Sequence, residues 1–241
     1  MKIKNLLYIC ISLLWMCSCS AYKNVPYLQN PEAVNDFTGE LPMYDAKIMP
    51  KDLLTITVNT SIPEASIPFN LVVQTSINSA QSNHLTQQPA LQQYLVDNEG
   101  YIDFPVLGRI KVSGLTKNEA EDMIREKLGP YINERPIVTV RMANYKISVL
   151  GEVNSPGTFT VNNEKVNILE ALAMAGDLTV YGKRDNIKLI REDAEGKREI
   201  INLNLTNAEI VTCPYYYLQQ NDIVYVSPNK TKAKNSSIGN S

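Results

Sequence analysis

The stretch that most constrains the fold is residues 145–176, in which two short apolar runs precede a compact helical pattern. Ile, Val and Leu dominate Lys146–Glu152, turn-forming residues fill Asn154–Gly157, and β-branched and aromatic residues return in Thr158–Val161. Strand-forming residues on both sides of a Pro-Gly turn are typical of a β-hairpin. The sequence therefore predicts two adjacent strands joined by a tight turn.

A short buried helix is predicted directly after this hairpin. Asn167 is followed three residues later by Glu170, which is the spacing of a helix-starting capping box. Gly176 lies where a residue in the left-handed conformation commonly ends a helix. The intervening sequence ILEALAMA is apolar on nearly every side, so we expect this helix to be buried against the hairpin.

A second pattern of strands and one helix lies upstream, in residues 94–142. Asn98–Gly100 predicts a turn, and a helix is expected to begin after Thr116, which forms a capping box with Glu119, and to end at Gly129-Pro130. Strands are predicted at Tyr101–Phe104, Gly108–Val112 and Pro136–Met142, and at 54–58, where Leu54, Ile56 and Val58 alternate with Thr.

The last third of the chain is also predicted to be β-rich. Strands are expected at Asn186–Arg191, Arg198–Leu203, Tyr215–Leu218 and Asp222–Val226. Pro228–Ser241 is polar and basic, and we expect it to be disordered.

Residues 59–93 are rich in Ser, Gln, Asn and Pro. We interpret them as a solvated insertion, with a recognition loop as the alternative.

The amino terminus has the layout of an export signal. Two lysines precede an apolar run of eleven residues, Leu6–Met16, which is too short for a permanent membrane helix. Small residues are expected before an acylated cysteine, and Cys19 follows Cys17 and Ser18, whereas Cys17 follows Trp15 and Met16. We therefore predict lipidation at Cys19; the alternative is an ordinary signal peptide cleaved near Ser20 or Ala21, with Cys19 left as a free thiol.

Composition excludes several classes of function. The formal net charge of −2 gives no reason to expect a nucleic-acid partner, and the one histidine, His84, lies in a Gln- and Ser-rich stretch that argues against a histidine-based metal site or catalytic triad. Asp97, Glu99 and Asp103 form a loose acidic cluster, but Asp97 and Glu99 flank a turn glycine, where acids are usually solvated. We predict no catalytic residues, no cofactor and no metal.

The hairpin and helix resemble the soluble-ligand-binding β-grasp (SLBB) module of bacterial polysaccharide export proteins of the Wza-like family. The matching segments are Gly151-Glu152-Val153, Pro156-Gly157 and Ala173–Gly176, and Gln220–Asp222 resembles a later family motif. Residues Tyr22–Gln29 are similar to the segment after the acylated cysteine in export lipoproteins of Bacteroidetes-like bacteria, whose short form this chain resembles.

The upstream region resembles the export domain of the same family, in the family's own order. The matching residues are Asp97, Gly100, Ile102, Pro105, Gly108, Val112, Gly114 and Thr116. One position departs from the pattern, because Lys51 stands where the family has glycine in a Pro-Gly-Asp turn; a positive φ there would strain a lysine.

The resemblance implies an α+β fold of two small β-rich domains. The predicted order is a signal peptide (1–18), a lipidated tether (19–44), a polysaccharide export domain (45–143, with the polar insertion 59–93), a β-grasp domain (144–229) and a disordered tail (230–241). Wza-type members carry a further module and a C-terminal amphipathic helix; we expect neither in this sequence, nor a membrane pore formed by this chain alone.

The implied function is that of a non-enzymatic outer-membrane lipoprotein in a capsule or exopolysaccharide export channel. By resemblance, it would face the periplasm, form a homo-oligomeric ring around the polysaccharide, and dock on an inner-membrane polysaccharide copolymerase or tyrosine kinase. The alternative is a monomeric periplasmic glycan- or ligand-binding lipoprotein, since β-grasp modules also occur in cobalamin-binding proteins. An exported hydrolase is disfavoured because no nucleophile, base and orienting group can be identified.

Overall fold

A computed structural model describes residues 25–36, 45–78, 85–163, 165–193 and 196–238. Two hydrophobic cores organise these residues, one within 48–140 and one within 145–226. Strands and helices are mixed in the chain, which confirms the predicted α+β class.

The elements are numbered in chain order. The strands are β1 (Leu53–Asn59), β2 (Val72–Asn78), β3 (Leu85–Leu91), β4 (Gln93–Leu95), β5 (Tyr101–Phe104), β6 (Gly108–Lys111), β7 (Ile137–Met142), β8 (Lys146–Gly151), β9 (Gly157–Thr160), β10 (Gly182–Glu192), β11 (Arg198–Leu203) and β12 (Ile223–Pro228). The α-helices are α1 (Glu32–Asn35), α2 (Pro63–Ser66), α3 (Lys117–Leu128), α4 (Ile168–Met174) and α5 (Lys230–Ile238).

The first module is built on a three-stranded antiparallel sheet in the order β4-β1-β7. Burial alternates along β1, which places Leu54, Ile56 and Val58 in the core, as the sequence predicts. Helix α3 begins with the predicted capping box of Thr116 and Glu119 and buries one residue per turn against the sheet. The β5–β6 hairpin completes this core.

The second module contains a five-stranded sheet in the order β11-β10-β12-β8-β9. All neighbours are antiparallel except β8 and β12, which pair in parallel. The predicted hairpin is confirmed as β8–β9, and the predicted helix is confirmed as α4, capped by Asn167 and Glu170. Gly176 follows it at a φ of +72°.

The polar insertion is more structured than the sequence suggested. It contains α2, a 3₁₀ turn at Ile67–Phe69 and the antiparallel pair β2–β3, and residues 79–84, with His84, lie outside the described part. Phe69 is buried in the first core and explains why the segment folds back on the sheet.

Two further expectations are wrong. The tail is helical over Lys230–Ile238 rather than disordered, because the Asn229 side chain accepts a hydrogen bond from the N–H of Lys232 and so caps the helix. Tyr215–Leu218 forms no strand; only an isolated bridge joins Tyr217 to Asn167.

Part of the predicted tether is packed against the second module. The N–H groups of Leu28 and Gln29 donate to the carbonyls of Leu205 and Thr206, and the N–H of Ala208 donates to the carbonyl of Gln29. Residues 25–36 are therefore a docked segment. The sequence did not predict this docking, because these residues show no periodic pattern of apolar side chains.

Candidate functional site

The two modules meet at a polar junction centred on Asn144. Its Oδ1 accepts from the N–H of Leu53 at 3.0 Å, and its backbone carbonyl accepts from Nε2 of Gln220 at 2.6 Å. Gln220 is buried, and its Oε1 accepts from the N–H of Lys146 at 2.7 Å. A single residue between β7 and β8 thus bonds to strand β1 of the first module and to the loop before β12 of the second.

A cleft opens beside this junction, with residues of both modules in its wall. Its volume is about 810 Å³, which is in the range of pockets that hold small organic ligands. The polar and aromatic residues in its wall are Asp45, Lys117, Arg141, Tyr145, Asn162, Asn163, Lys165, Asn167, Glu170 and Tyr217.

The wall of the cleft combines amides, cations and aromatic rings. Lys165 Nζ lies 5.1 Å from the ring centroid of Tyr217, and Tyr145 Oη donates to the carbonyl of Leu218 at 2.7 Å. Amides donate and accept hydrogen bonds, and cations attract carboxylates. The described wall carries three cations and two carboxylates, so the cleft is suited to a polyhydroxylated ligand that carries a carboxylate.

The junction and the cleft were both missed by the sequence analysis. The residues of the junction and the cleft come from separate segments, and the sequence of each segment is that of an ordinary polar loop or strand end. The Asn162-Asn163 pair after β9 is the strongest local signal, and it is also typical of a solvated turn.

Two positions of the family patterns, Gly151 and Lys51, have a positive φ, a backbone conformation that is strained for residues other than glycine. Gly151 has a φ of +91°, and a Cβ built there would lie 2.1 Å from the carbonyl oxygen of Val226 on the paired strand β12. Lys51 has a φ of +73°, so the strain predicted for a lysine at the family's glycine position is present.

A buried ion pair joins Arg191 of β10 to Asp222, the residue before β12, in the second module. Arg191 Nη2 lies 2.6 Å from Asp222 Oδ2, and Nε of the same guanidinium donates to Oδ1 of Asp222 at 3.1 Å. Asp222 also accepts from the N–H of Gln219. This bidentate pair explains the aspartate of the late motif, and Asn221 before it has a φ of +64°, a conformation that favours glycine or asparagine.

The acidic cluster has a structural role. Asp97 accepts from the N–H of Tyr101 and from Arg109, which also pairs with Glu99. The Tyr101 N–H and the Arg109 guanidinium lower the pKa of Asp97. Over the part of the chain that the structure describes, no group of three His, Cys, Asp or Glu side chains is placed to hold a metal ion. Cys19, the predicted lipidation site, lies outside that part.

Comparison with known proteins identifies both modules. Residues 41–143 match the family of polysaccharide biosynthesis/export proteins, and residues 145–226 match the SLBB domain. The chain belongs to the polysaccharide biosynthesis/export protein family. This confirms the resemblance seen in the sequence, and because the family consists of transport proteins rather than enzymes, it also confirms the prediction of no enzymatic activity.

Two curated relatives of this export-protein family are named as EPS I polysaccharide export outer membrane protein EpsA. The protein from Ralstonia solanacearum is 32% identical over 184 residues, which cover 74% of this chain and 47% of the relative. The protein from Ralstonia nicotianae is 36% identical over 107 residues, 43% of this chain and 28% of the relative. The chain thus spans less than half the length of either relative.

None of the helices in the described ranges of this export-family chain is both long enough and apolar enough to cross a bilayer.

Proposed function

We propose that this protein is an outer-membrane component of a capsular or exopolysaccharide export channel. The observation that carries the proposal is the order of the two modules, an export domain followed directly by an SLBB domain over residues 41–226. The names of the two Ralstonia relatives, which are export proteins of the outer membrane, support the same role and location.

The cleft between the modules is the proposed contact with the polysaccharide. Its amides and the rim residue Tyr217 fit the hydroxyl groups and the apolar ring face of a sugar, and Arg141 and Lys165 fit a uronic acid carboxylate. The proposed substrate is therefore an acidic polysaccharide in transit.

The proposed attachment to the membrane is an acyl group on Cys19, with the folded modules in the periplasm. Acyl chains supply membrane affinity at about 0.8 kcal/mol per buried methylene. A Cys19→Ala variant is expected to leave the membrane fraction or to stay unprocessed; membrane retention after a carbonate wash would contradict lipidation.

The proposed assembly is a homo-oligomeric ring that encloses the polysaccharide and meets an inner-membrane copolymerase or tyrosine kinase. Sizing in mild detergent tests the ring directly. A monomer with a measurable affinity for an acidic oligosaccharide would instead favour the second candidate, a glycan-binding lipoprotein, which the size of the cleft supports on its own.

The decisive experiment is deletion of the gene in a strain without a paralogue, followed by complementation. Surface polysaccharide should disappear on deletion and return with the wild-type gene. Tyr217→Ala should restore less than the matched control Tyr131→Ala, which removes an exposed tyrosine that does not line the cleft. Unchanged surface polysaccharide after deletion would overturn the proposed function.

A further inference from the structure

The outward face of the second module's sheet carries a row of isoleucines. Side chains alternate between the two faces along a strand, and Leu189 on β10 and Val224 on β12 are buried in the core of this module. Their neighbours Ile190 and Ile223 therefore point to the opposite face. The strand register places Ile190 beside Ile200 of β11 and beside Ile223 of β12. The three side chains form one row, hereafter the isoleucine row, across three adjacent strands.

The face that carries the isoleucine row is exposed and extends to β8. Ile200 is 64% exposed, and Leu150 on β8 is 44% exposed. Leu150 pairs with Tyr225 of β12, two residues beyond Ile223 and therefore on the same face. The side chains of the row, Leu150 and Tyr225 are absent from both hydrophobic cores formed by the described residues. The sheet thus has one face on the core and a second apolar face directed outward.

An apolar outward face is unusual for a sheet of mainly antiparallel strands. Such a sheet normally directs apolar side chains inward and polar side chains outward. The sheet of the first module follows this pattern at its centre, where Thr57 pairs with Thr139 and Thr55 with Arg141 on the outward face. A contiguous exposed apolar patch is typical of an interaction surface. The isoleucine row therefore indicates that another surface covers the sheet of the second module.

Opposite charges lie on the two sides of the isoleucine row. Lys188 and Glu192 are two residues before and two residues after Ile190 on β10, so they share its face. Glu192 Oε2 accepts from Nε of Arg198 at 2.6 Å, in an exposed pair. A carboxylate accepts several hydrogen bonds, so Glu192 can also bind a second cation through Oε1. The face thus has a lysine on one side of the row and a carboxylate on the other.

This arrangement of charges is complementary to itself. A two-fold axis along the isoleucine row places each isoleucine opposite the same residue of a second copy. The axis also exchanges the two sides of the row, so Lys188 of each copy lies opposite Glu192 of the other. An isologous contact requires this kind of self-complementary surface. Two sheets packed face to face through apolar side chains are the arrangement of a β-sandwich.

We propose that the second modules of two copies of this chain pack face to face through the isoleucine row. In this pair, Lys188 of each copy binds Glu192 of the other. An isologous contact joins two copies and then ends, whereas a ring of more than two copies is closed by heterologous contacts. The pair is therefore separate from the proposed ring, and it covers the apolar face of copies that are not built into a channel.

The contact is small, so its test keeps both copies in the membrane. A face of four strands and five residues covers roughly 300 Å² per copy, which is at the low end for specific interfaces. Confinement to a membrane raises the effective concentration of the second copy. The experiment therefore uses the full-length protein in intact cells.

The experiment is cross-linking through a single introduced cysteine. Cys213, the free cysteine in the described ranges, is first replaced in a Cys213→Ser parent, and Ile200→Cys is added. Facing sheets lie about 10 Å apart, too far for a disulfide, so a short bismaleimide joins the two thiols. The expected result is a band at twice the mass of the chain, and no such band from the parent. A heterologous contact would give no such band, because it would bring Ile200 against a different residue.

The matched control for the cysteine is Ile137→Cys in the same parent. Ile137 is also an isoleucine on a strand and is 67% exposed, but it lies in the first module. It should give little or no band at twice the mass. An equal band from Ile137→Cys would show that the cross-link reports crowding in the membrane rather than the isoleucine row.

Charge exchange tests the register of the pair. Lys188→Glu or Glu192→Lys alone should lower the cross-linked fraction of the Ile200→Cys protein by about 10-fold, since each of the two symmetric ion pairs contributes roughly three-fold. The two substitutions together should restore the cross-link, because each copy again presents one lysine opposite one carboxylate. Thermal unfolding of each variant verifies that it is folded.

Three further results would overturn the proposal. These are no band at twice the mass from Ile200→Cys, no recovery when the two charge reversals are combined, and a band of another mass, which would show that a different protein covers the face. The deletion phenotype reports export separately and does not depend on this contact. A failure of the pair is therefore distinguishable from a failure of the proposed function.

Discussion

At the residue scale, Gly151 is required because strand β12 lies against its α-carbon. A Cβ at this position would lie 2.1 Å from the Val226 carbonyl oxygen and would also be held at a φ of +91°. Gly151→Ala should therefore reduce the free energy of unfolding by about 3–5 kcal/mol, through overpacking and left-handed strain together. Urea unfolding of the purified variant measures this loss.

The matched control for Gly151 is Gly108, at a φ of +69° with no atom within 4 Å of a built Cβ. Gly108→Ala should cost only the left-handed strain, about 1–2 kcal/mol. Equal losses in the two variants would show that close approach of β12 is not what selects glycine at position 151.

Lys51 has a strained backbone conformation. Its φ of +73° disfavours any side chain with a Cβ. Lys51→Gly should raise the free energy of unfolding by about 0.5–1 kcal/mol, since the relief of strain exceeds the entropy of a freer unfolded chain. The same substitution at exposed Lys47, whose φ is not positive, should lower stability, and thermal melts of both variants compare the two effects.

Asp52 makes stability depend on pH in an unusual direction. Burial raises its pKa to about 6, although the N–H of Met49 donates to Oδ2 and lowers it. Between the unfolded value of about 3.9 and this folded value, the native state binds more protons than the unfolded chain. The contribution of Asp52 to stability is therefore greatest below about pH 4 and is lost as the pH rises through 6, by about 3 kcal/mol at most.

Asp52→Asn should remove this dependence of the free energy of unfolding on pH, because an amide stays neutral and its oxygen can still accept a hydrogen bond from the N–H of Met49. The variant is expected to equal or exceed the wild type in stability at pH 7 but not at pH 4. Urea unfolding at several pH values between 4 and 7 provides the measurement, with Asp103→Asn on the exposed face of β5 as the control. A wild-type slope that persists in Asp52→Asn would assign the pH dependence to other groups.

At the element scale, the docked segment 25–36 belongs to the fold of the second module. Burial and the hydrogen bond to Asp177 raise the pKa of Tyr27, so its phenol remains a donor at neutral pH. Tyr27→Ala should weaken docking by about 1.4 kcal/mol and speed amide exchange of Leu28 and Gln29 about 10-fold. Hydrogen-exchange mass spectrometry measures the exchange rate, with Tyr131→Ala as the matched control. Unchanged exchange in Tyr27→Ala would show that the segment is held by its backbone hydrogen bonds alone.

Elements with strong local signals were predictable from the sequence, and elements held by distant contacts were not. The capping boxes at Thr116 and Asn167 act within one helical turn, and α3 and α4 begin where the sequence indicates. Docking of residues 25–36 depends on carbonyls near residue 205, far away in the chain. No local sequence pattern indicates contacts between residues so far apart in the chain. The cleft was not predicted for the same reason.

At the scale of the whole molecule, the export and β-grasp modules are joined by one residue with bonds to both. Asn144 accepts from Leu53 through its side chain and from Gln220 through its backbone. The cleft depends on this junction because its wall includes Arg141 from β7 and Tyr217 from the loop before β12. Movement of one module against the other would therefore change the shape of the proposed polysaccharide contact.

Removal of the Asn144 side chain should uncouple the two modules. The part-buried N–H of Leu53 would lose its acceptor, and an amide left unpaired in this way costs at most about 1–3 kcal/mol. In scanning calorimetry the wild type is expected to unfold in one transition, whereas Asn144→Ala should give a broader or divided one, with the first module melting at the lower temperature. Asn163→Ala, an exposed amide in the cleft wall outside the junction, should melt like the wild type. If the wild type already shows two transitions, the junction does not couple the unfolding of the two modules.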